Sequence, residues 1–280
     1  MTNEQKRKIE SYIALTMSGL AAAVGLFWLV YILADVLING LGALNISLFF
    51  NDPEAAGVEG GGLRNAFVGQ LMITGAATLI GVPVGVLGGT FLAEYARGKT
   101  IARVISVVSD IMVSVPSIVI GAFVYAILVR PLQHFSGWAG AFALSIIMIP
   151  VVIRTTENML SLVPWTLREA AFALGAPYYK VIIQIVYRGA ATGIMTGILL
   201  SIARVAGETA PLLFTSFNNN FFSTDMNRPI ASLTVTIFQY AMGPYKSWHS
   251  QAWGAALVIT LFILMLTIAG RLILKWRYKQ

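Results

Sequence analysis

Six long apolar stretches dominate this chain and restrict its fold more than any other feature. They cover roughly residues 11–38, 67–93, 105–129, 138–153, 189–216 and 253–274. One helical crossing of a bilayer takes about 20 apolar residues, so the short fourth stretch begins earlier or lies tilted. Backbone polar groups inside a bilayer must be bonded within the protein, and a single apolar segment achieves this as a helix. We therefore predict an all-α, polytopic membrane protein with six transmembrane helices.

The composition agrees with a membrane protein. Hydrophobic residues make up 57% of the 280-residue chain and charged residues 11%, whereas about 25% of a soluble domain is charged. The chain has no cysteine, which excludes disulfides and thiolate metal sites. The net charge of +7 comes from basic residues at the ends of apolar stretches, a pattern of membrane orientation and not of nucleic-acid binding. The first stretch is too long for a signal-peptide core, so we expect it to be retained as a helix among membrane lipids.

The distribution of Lys and Arg predicts the orientation in the membrane. With the N-terminus inside, the cytoplasmic basic residues are Lys6, Arg7, Lys8, Arg97, Lys99, Arg103, Arg154, Arg168, Lys180, Arg188, Arg271, Lys275, Arg277 and Lys279, and the outer ones are Arg64, Arg130, Arg228 and Lys246. Because basic residues are enriched on the cytoplasmic side, both termini should be cytoplasmic. Residues 1–66 then form an N-terminal transmembrane helix with an outer loop. Residues 67–275 form the core, with a cytoplasmic loop at 154–188 and an outer loop at 217–252.

Two charged residues fall inside the fifth apolar stretch. Arg204 and Glu208 are spaced i, i+4, which on a continuous helix puts them on one face and close enough to pair. Ser201 and Thr215 extend this polar face. A charge at the bilayer centre costs about 2.5–3.5 kcal/mol on insertion scales, so such residues usually serve a function. One interpretation is an anion pathway, in which Arg204 contacts the anion and Glu208 holds the arginine. The other is a structural ion pair between helices.

A short segment between the fourth and fifth stretches has the form of a docking loop. It reads Arg168-Glu169-Ala170-Ala171-Phe172-Ala173-Leu174-Gly175. Glutamate and alanine favour a turn of helix, and a glycine allows the bend that follows it. Because the charge distribution places this loop in the cytoplasm, we predict that Glu169, Ala170, Ala171 and Gly175 contact another protein there.

Glycines recur at every fourth position in two of the stretches. They are Gly81, Gly85 and Gly89 in the second stretch, and Gly189, Gly193 and Gly197 in the fifth. Small residues at this spacing let helices approach closely. We therefore predict helix packing at both places, either within the chain or against a second subunit.

A second polar stripe lies in the third stretch. It consists of Asp110, Ser114, Ser117 and Gly121, and Pro116 interrupts it. Two interpretations stay open, a pathway lining and a carboxylate at the interfacial end of a helix.

One pattern resembles a nucleotide-binding loop but lacks its context. Residues 93–100 end in Gly-Lys-Thr, but Ala93 stands where the strict pattern has glycine, and no strand is expected before them. We predict a basic cytoplasmic turn, so any ATP would be used by a separate chain. His134 and His249 are isolated, and no residues form a catalytic set. We expect a protein that is not an enzyme and binds no cofactor or metal.

The docking segment carries a family resemblance. Glu169-Ala170-Ala171, then Gly175 and Ile185, resemble the cytoplasmic loop signature of permease subunits in binding-protein-dependent ABC importers. That signature usually ends in Leu-Pro, where this chain has Tyr187-Arg188. Residues 115–121, 193–200, 203–215, 223–226 and 229–230 resemble more closely the second permease subunit of phosphate-specific importers.

The resemblance implies a type I ABC importer permease fold in a bacterial or archaeal inner membrane. It implies a heterodimer with a homologous permease, two copies of a phosphate ATPase that uses ATP, and an extracytoplasmic phosphate-binding protein. In that family, residues matching Glu169 to Gly175 form coupling helices on the ATPase, and Arg204 and Glu208 match positions associated with transport. Three alternatives stay open: a permease for sulfate or molybdate, an ion-driven secondary transporter, and a membrane scaffold for a phosphate-sensing kinase.

Overall fold

Helices make up all the regular structure of the described residues. The computed structural model describes residues 3–55, 57, 58 and 60–277. Its helices are α1 (Asn3–Ala43), α2 (Ile46–Phe50), α3 (Arg64–Thr90), α4 (Thr100–Ser114), α5 (Ser117–Val124), α6 (Arg130–Leu132), α7 (Gly137–Ser161), α8 (Trp165–Ala173), α9 (Tyr178–Val181), α10 (Tyr187–Ala206), α11 (Ala210–Thr215), α12 (Leu233–Ala241) and α13 (Lys246–Arg277). The predicted all-α class is confirmed in this part of the chain. Lys279, which entered the charge distribution, lies outside it.

Three π-helical segments lengthen or join these helices. Phe91–Tyr95 continues α3, Tyr125–Val129 joins α5 to α6, and Ile182–Val186 joins α9 to α10. Five helical runs are then long and apolar enough to cross a membrane: Asn3–Ala43, Arg64–Tyr95, Gly137–Ser161, Tyr178–Ala206 and Lys246–Gly270. The predicted fourth span ends at residue 153, but α7 continues to Ser161. Residues 154–161 are polar enough that a hydropathy criterion leaves them out.

The predicted third span is not straight. α4 and the run Ser117–Leu132 meet at a bend of 102°. The bend lies at Val115 and Pro116, where the backbone of Val115 is extended. A proline ring disfavours the helical conformation of the residue before it, which explains why the apolar stretch breaks there. If α4 and the run Ser117–Leu132 together count as one span, the described residues contain six membrane crossings.

The predicted fifth span is also interrupted. The helical run that contains α10 begins at Tyr178, the first residue of α9, which is earlier than expected. It ends at Ala206 instead of continuing to residue 216. Gly207, Glu208 and Thr209 separate it from the short helix α11, in which Pro211 occupies the first turn. Proline is well tolerated in a first turn, where its missing N–H has no helical partner. The prediction of one continuous helix over 189–216 is therefore wrong.

α7 is the centre of the fold, and both glycine stripes pack against it. A Cβ added at Gly81 would lie 3.0 Å from the sulfur of Met148, and one at Gly85 would lie 2.6 Å from Cβ of Val152. From α10, a Cβ added at Gly193 would meet the side chain of Met159 on α7. The predicted glycine-mediated packing is confirmed, and the helices it joins belong to this chain.

The first and last long helices form a separate layer. α1 packs against α13 at Gly40, where an added Cβ would lie 2.6 Å from Cβ of Leu257. Most of α1 is exposed and apolar, including Phe27 and Trp28. An apolar helix with so little protein contact is suited to a lipid environment.

Candidate functional site

Arg204 opens onto a groove and not onto its predicted partner. It lies in the last turn of α10 and is exposed. The groove has a volume of about 500 Å³ and is lined by Asp110, Val113, Val151, Arg154, Thr155, Asn158 and Arg204. No hydrogen bond or salt bridge of the Arg204 side chain occurs within the described residues. Its positive charge is therefore directed to the groove.

Arg154 is the second cation of this groove. Its guanidinium binds both carboxylate oxygens of Asp110 on α4, with Nε donating to Oδ1 at 2.7 Å. Nη1 donates to Oε2 of Glu157 at 2.9 Å, and Ser106 donates to the other oxygen of Glu157 at 3.4 Å. Sequence reasoning used Arg154 only for orientation. Asp110 of the predicted polar stripe lies in the groove wall, whereas Ser114, Ser117 and Gly121 do not line it.

Glu208 does not pair with Arg204. The i, i+4 spacing places two residues on one face only within a continuous helix. α10 ends at Ala206, so Glu208 lies in the loop before α11 and not on the helix of Arg204. Its backbone carbonyl accepts a hydrogen bond from Oγ1 of Thr234 at 3.0 Å. The described residues contain no salt bridge to its carboxylate. The predicted ion pair is therefore wrong.

Ser201 and Thr215 face the protein interior and not the groove. Ser201 is 1% exposed and Thr215 is 0% exposed. Thr215 donates to the carbonyl of Pro211 at 2.7 Å, and the hydroxyl of Ser201 has no partner within the described residues. The predicted single polar face of Ser201, Arg204 and Thr215 is not formed. Ser201 lies on the buried side of α10 and Arg204 on its exposed side, while Thr215 lies on the separate helix α11.

Gln70, a residue of α3, stabilises the end of α10 at Ala206. Its Nε2 donates to the carbonyl of Ala206 at 3.0 Å, and its Oε1 accepts from the N–H of Leu233, the first residue of α12, at 3.1 Å. The last carbonyls and first N–H groups of a helix have no partner within it. One buried side chain thus satisfies two helix ends and fixes the last turn that carries Arg204. Nothing in the local sequence around Gln70 indicates this role, since its partners are distant in the chain.

The predicted docking segment forms α8 and a tight turn. Glu169, Ala170 and Gly175 are exposed, while Ala171 is buried. Gly175 has φ of +76°. Its N–H bonds the carbonyl of Phe172 at 2.9 Å, and the N–H of Ala176 bonds the carbonyl of Ala171 at 3.1 Å. These two bonds are the Schellman motif, which requires a left-handed residue and favours glycine.

The turn presents an apolar tip. Leu174 is 89% exposed, and Leu167 and Trp165 are also exposed. Exposed apolar side chains grouped on one short element mark an interaction surface. The predicted docking segment is therefore a short helix and a tight turn with exposed apolar side chains at both ends.

The pattern at residues 93–100 is a helix end and a turn. The π-helical end of α3 precedes it, and Gly98 has φ of +76° in the turn before α4. A nucleotide-binding loop follows a strand, so the predicted basic turn is confirmed. No group of three His, Asp or Glu side chains able to hold a metal occurs in the described residues.

A larger cavity lies among the loops that follow α2 and α11. It has a volume of about 830 Å³ and is lined by residues of the loop 52–55, the segment 217–222, and Gln239, Tyr240 and Trp248. The rings of Tyr240 and Trp248 are stacked with centroids 4.7 Å apart. Burial raises the pKa of the Tyr240 phenol.

A family model supplies the identification. The model described as "Binding-protein-dependent transport system inner membrane component" matches residues 81–278. The chain belongs to this family. Family membership establishes a membrane transport component, and the five apolar helices with the bent pair agree with a multi-pass inner membrane permease. It also contradicts the alternative of a secondary transporter working alone.

Named relatives are similar to this chain over nearly its whole length. "Phosphate transport system permease protein PstA" of Pasteurella multocida is 52% identical over 266 residues, which cover 95% of each chain. The protein of the same name from Haemophilus influenzae is 52% identical and covers 95% of this chain and 94% of its own. A chain of the MetNI methionine ABC transporter, solved in an inward-facing conformation, has a TM-score of 0.64 at 19% identity, covering 76% of this chain and 94% of its own.

These likenesses confirm the predicted fold and the predicted class. The solved chain is distant in sequence, so it establishes the fold alone, and that fold is the ABC importer permease fold expected from the sequence. The family consists of non-catalytic transport components. The prediction that this permease is not an enzyme is therefore confirmed.

Proposed function

We propose that this chain is one permease half of an ATP-driven importer of inorganic phosphate. The names of the relatives that share about half of its residues support phosphate as the substrate. The observation that carries the proposed pathway is that Arg154 and Arg204 line one groove. Guanidinium groups bind oxyanions through two parallel hydrogen bonds, which suits them to phosphate.

In this proposal Arg204 is the primary anion contact. It is the guanidinium of the groove that no described carboxylate neutralises, whereas Arg154 is bound to Asp110 and Glu157. Glu208, Ser201 and Thr215 act indirectly, by shaping the interrupted helix that presents Arg204. The groove lies on the surface of this chain, and a homologous permease covering it would complete an enclosed path.

We further propose that α8 docks a separate ATPase. Glu169 and Ala170 form its exposed face, Ala171 packs it against the chain, and Gly175 turns the backbone so that Leu174 projects outward. The exposed tip is small enough to enter a groove on a partner. ATP would be hydrolysed on that partner, which explains why this chain needs no nucleotide site.

The assembly that fits these surfaces has four kinds of subunit. We propose a heterodimer of this chain with a homologous permease, two copies of the ATPase below it, and a phosphate-binding protein above it. Both termini and α8 would lie in the cytoplasm, and the outer cavity beside Trp248 would face the binding protein. The same complex can report phosphate supply to a sensor kinase, which would contact it from the cytoplasm.

Uptake of labelled phosphate in a strain that lacks this chain tests the proposal. Restoring the chain should restore uptake, and an excess of unlabelled phosphate should abolish the signal while sulfate and molybdate leave it unchanged. Inhibition by sulfate or molybdate at equal concentration would identify the oxyanion alternative instead. A complex purified through this chain should contain an ATPase subunit, and its absence would refute the proposed coupling.

A further inference from the structure

The base of the coupling helix is a buried ion pair. Arg168 directs its guanidinium inward, although the next residue, Glu169, is exposed. Its Nη2 donates to Oε1 of Glu94 at 2.6 Å, with only 3% of the Arg168 side chain and 1% of the Glu94 side chain exposed. Glu94 lies in the π-helical segment that continues α3. A charged hydrogen bond shielded from solvent therefore joins α8 to α3.

The same guanidinium also holds the end of α7. Nη1 donates to the carbonyl of Val163 at 2.6 Å, and Nη2 donates to the carbonyl of Leu160 at 3.1 Å. Leu160 lies in the last turn of α7, where carbonyls have no partner within the helix. A planar guanidinium can serve several acceptors in fixed directions, whereas an ammonium group is a single point of charge. Arg168 thus ties α8 to both α3 and α7.

A second bond connects Glu94 to α10. The hydroxyl of Tyr178 donates to the backbone carbonyl of Glu94 at 2.8 Å. Tyr178 begins α9, which continues through its π-helical segment into α10. Its ring also stacks on Phe172 of α8, with centroids 5.8 Å apart. Glu94 is therefore the point at which α3, α8 and the helix leading to Arg204 meet.

Near their other ends, these two helices meet at the last turn of α10. α3 carries Gln70, which bonds the carbonyl of Ala206, and α10 carries Arg204 in the same turn. Between Gln70 and Glu94 the helix is about 36 Å long at 1.5 Å per residue. Movement at Glu94 therefore has two continuous helical routes to the turn that presents Arg204.

We propose that Glu94 and Arg168 are positioning residues that pass the movement of α8 to α3 and α10, and through them to the groove at Arg204. This inference rests on the proposed function, because it takes α8 as the docking site of the ATPase. Loss of the ion pair leaves Glu169, Ala170 and Leu174 on the docking surface. The ATPase would then still bind and hydrolyse ATP, but its closure would no longer reach the pathway.

The test uses the complete complex in proteoliposomes, with ATPase subunits and binding protein. Arg168→Lys keeps the charge but cannot bond Glu94, Val163 and Leu160 together, and Glu94→Gln keeps the size and one acceptor oxygen but removes the charge. We expect both to raise the ATP hydrolysed per phosphate moved by about fivefold or more, the size of a typical coupling free energy between sites. Arg188→Lys is the matched control, since Arg188 is exposed on α10 and has no described contact.

A merely structural ion pair predicts a different result. Uptake and ATP hydrolysis would then fall together with the amount of assembled complex, and their ratio would stay at the wild-type value. That result overturns the proposal, as does failure of both variants to assemble with the ATPase. If the wild-type complex moves no phosphate, the proposed substrate is wrong. The role of the ion pair is then tested by a second measurement, the stimulation of ATP hydrolysis by the binding protein. The proposal requires that stimulation to be lost in both variants and kept in Arg188→Lys.

Discussion

Arg204 and Arg154 line the same groove, because α10 runs antiparallel to α7. The glycine contacts define this register, since Gly189 lies against Val163 and Gly197 lies against Thr155. Following α10 onward from Gly197 carries Arg204 toward Val151 and the groove. Two cations from different helices thus converge, and one of them, Arg204, has no described carboxylate partner.

Replacing Arg204 with glutamine should remove most transport. The amide cannot offer a charged, forked donor to an oxyanion, and a hydrogen bond to a charged group contributes about 1.5–3 kcal/mol. We expect labelled phosphate uptake to fall at least about tenfold, while the complex still assembles. Arg188→Gln makes the same change on the same helix and should transport normally. Wild-type uptake by Arg204→Gln would exclude a pathway role.

Exchanging the charges of Arg204 and Glu208 should not restore transport. Arg204 precedes the end of α10 at Ala206 and Glu208 follows it, and the two side chains form no described salt bridge. We expect the double variant Arg204→Glu, Glu208→Arg to be as inactive as the Arg204 single variant. Glu208→Gln alone should stay within about twofold of the wild-type uptake rate, as is usual for a side chain outside a network. Active exchanged protein would show that the residues do pair during transport.

Reversing the charge of Glu169 should weaken ATPase docking. Its carboxylate is exposed at the centre of α8, and placing a wrong charge in an interface costs several kcal/mol. We expect the affinity of the ATPase for the permease to fall at least about tenfold in Glu169→Lys. Glu10→Lys, at an exposed position on α1, is the control for the change in net charge. Equal ATPase binding by both variants would count against docking on α8.

A Cβ at Gly175 should strain the turn that presents Leu174. Left-handed backbone costs an L-residue about 1–2 kcal/mol, and Gly175 has φ of +76°. We expect Gly175→Ala to weaken ATPase binding by about fivefold or more, measured by titration of the purified permease. Gly98 has the same φ but lies in another turn. Gly98→Ala is therefore the control, and we expect it to introduce similar backbone strain and to leave ATPase binding unchanged. Similar binding losses in both would indicate general destabilisation.

Filling the space at Gly89 should destabilise the helix pair of α3 and α7. An added Cβ would lie 2.5 Å from the carbonyl oxygen of Ile153, which belongs to the backbone and cannot turn aside. We expect Gly89→Ala to lower the free energy of unfolding by about 1–3 kcal/mol, seen as a lower thermal midpoint in detergent. Gly75 has open space around it on the same helix, so Gly75→Ala should be neutral or stabilising.

Features that depend on side-chain character alone were predictable from the sequence. Hydropathy located α1, α3 and α13, and the four-residue spacing of glycines identified the surfaces that meet α7. Gly175 was predictable as a bend because few other residues tolerate its conformation. The tight turn after α8 follows from the same local reasoning, and docking by this segment stays a prediction.

Features that depend on backbone direction were not predictable in this way. Hydropathy treats residues 189–216 as one span, so it missed the break at Gly207 and assigned Glu208 to the wrong face. The Gly-Glu-Thr-Ala-Pro sequence at 207–211 contains turn residues that could have signalled it. The pairing of Arg154 with Asp110 and of Arg168 with Glu94 joins positions far apart in the chain, and no spacing rule relates such positions.

The central position of α7 also bears on how the protein is made. α3 leaves the ribosome first, and its glycine stripe has no partner until α7 follows. α7 in turn carries Arg154, Glu157 and Asn158 near its C-terminal end, and these side chains are costly to expose to lipid. We therefore expect α7 to enter the bilayer together with α3, and α10 to close the assembly from the other side. A slow or misplaced α7 would leave two unfilled helix surfaces in the membrane, where quality-control proteases act.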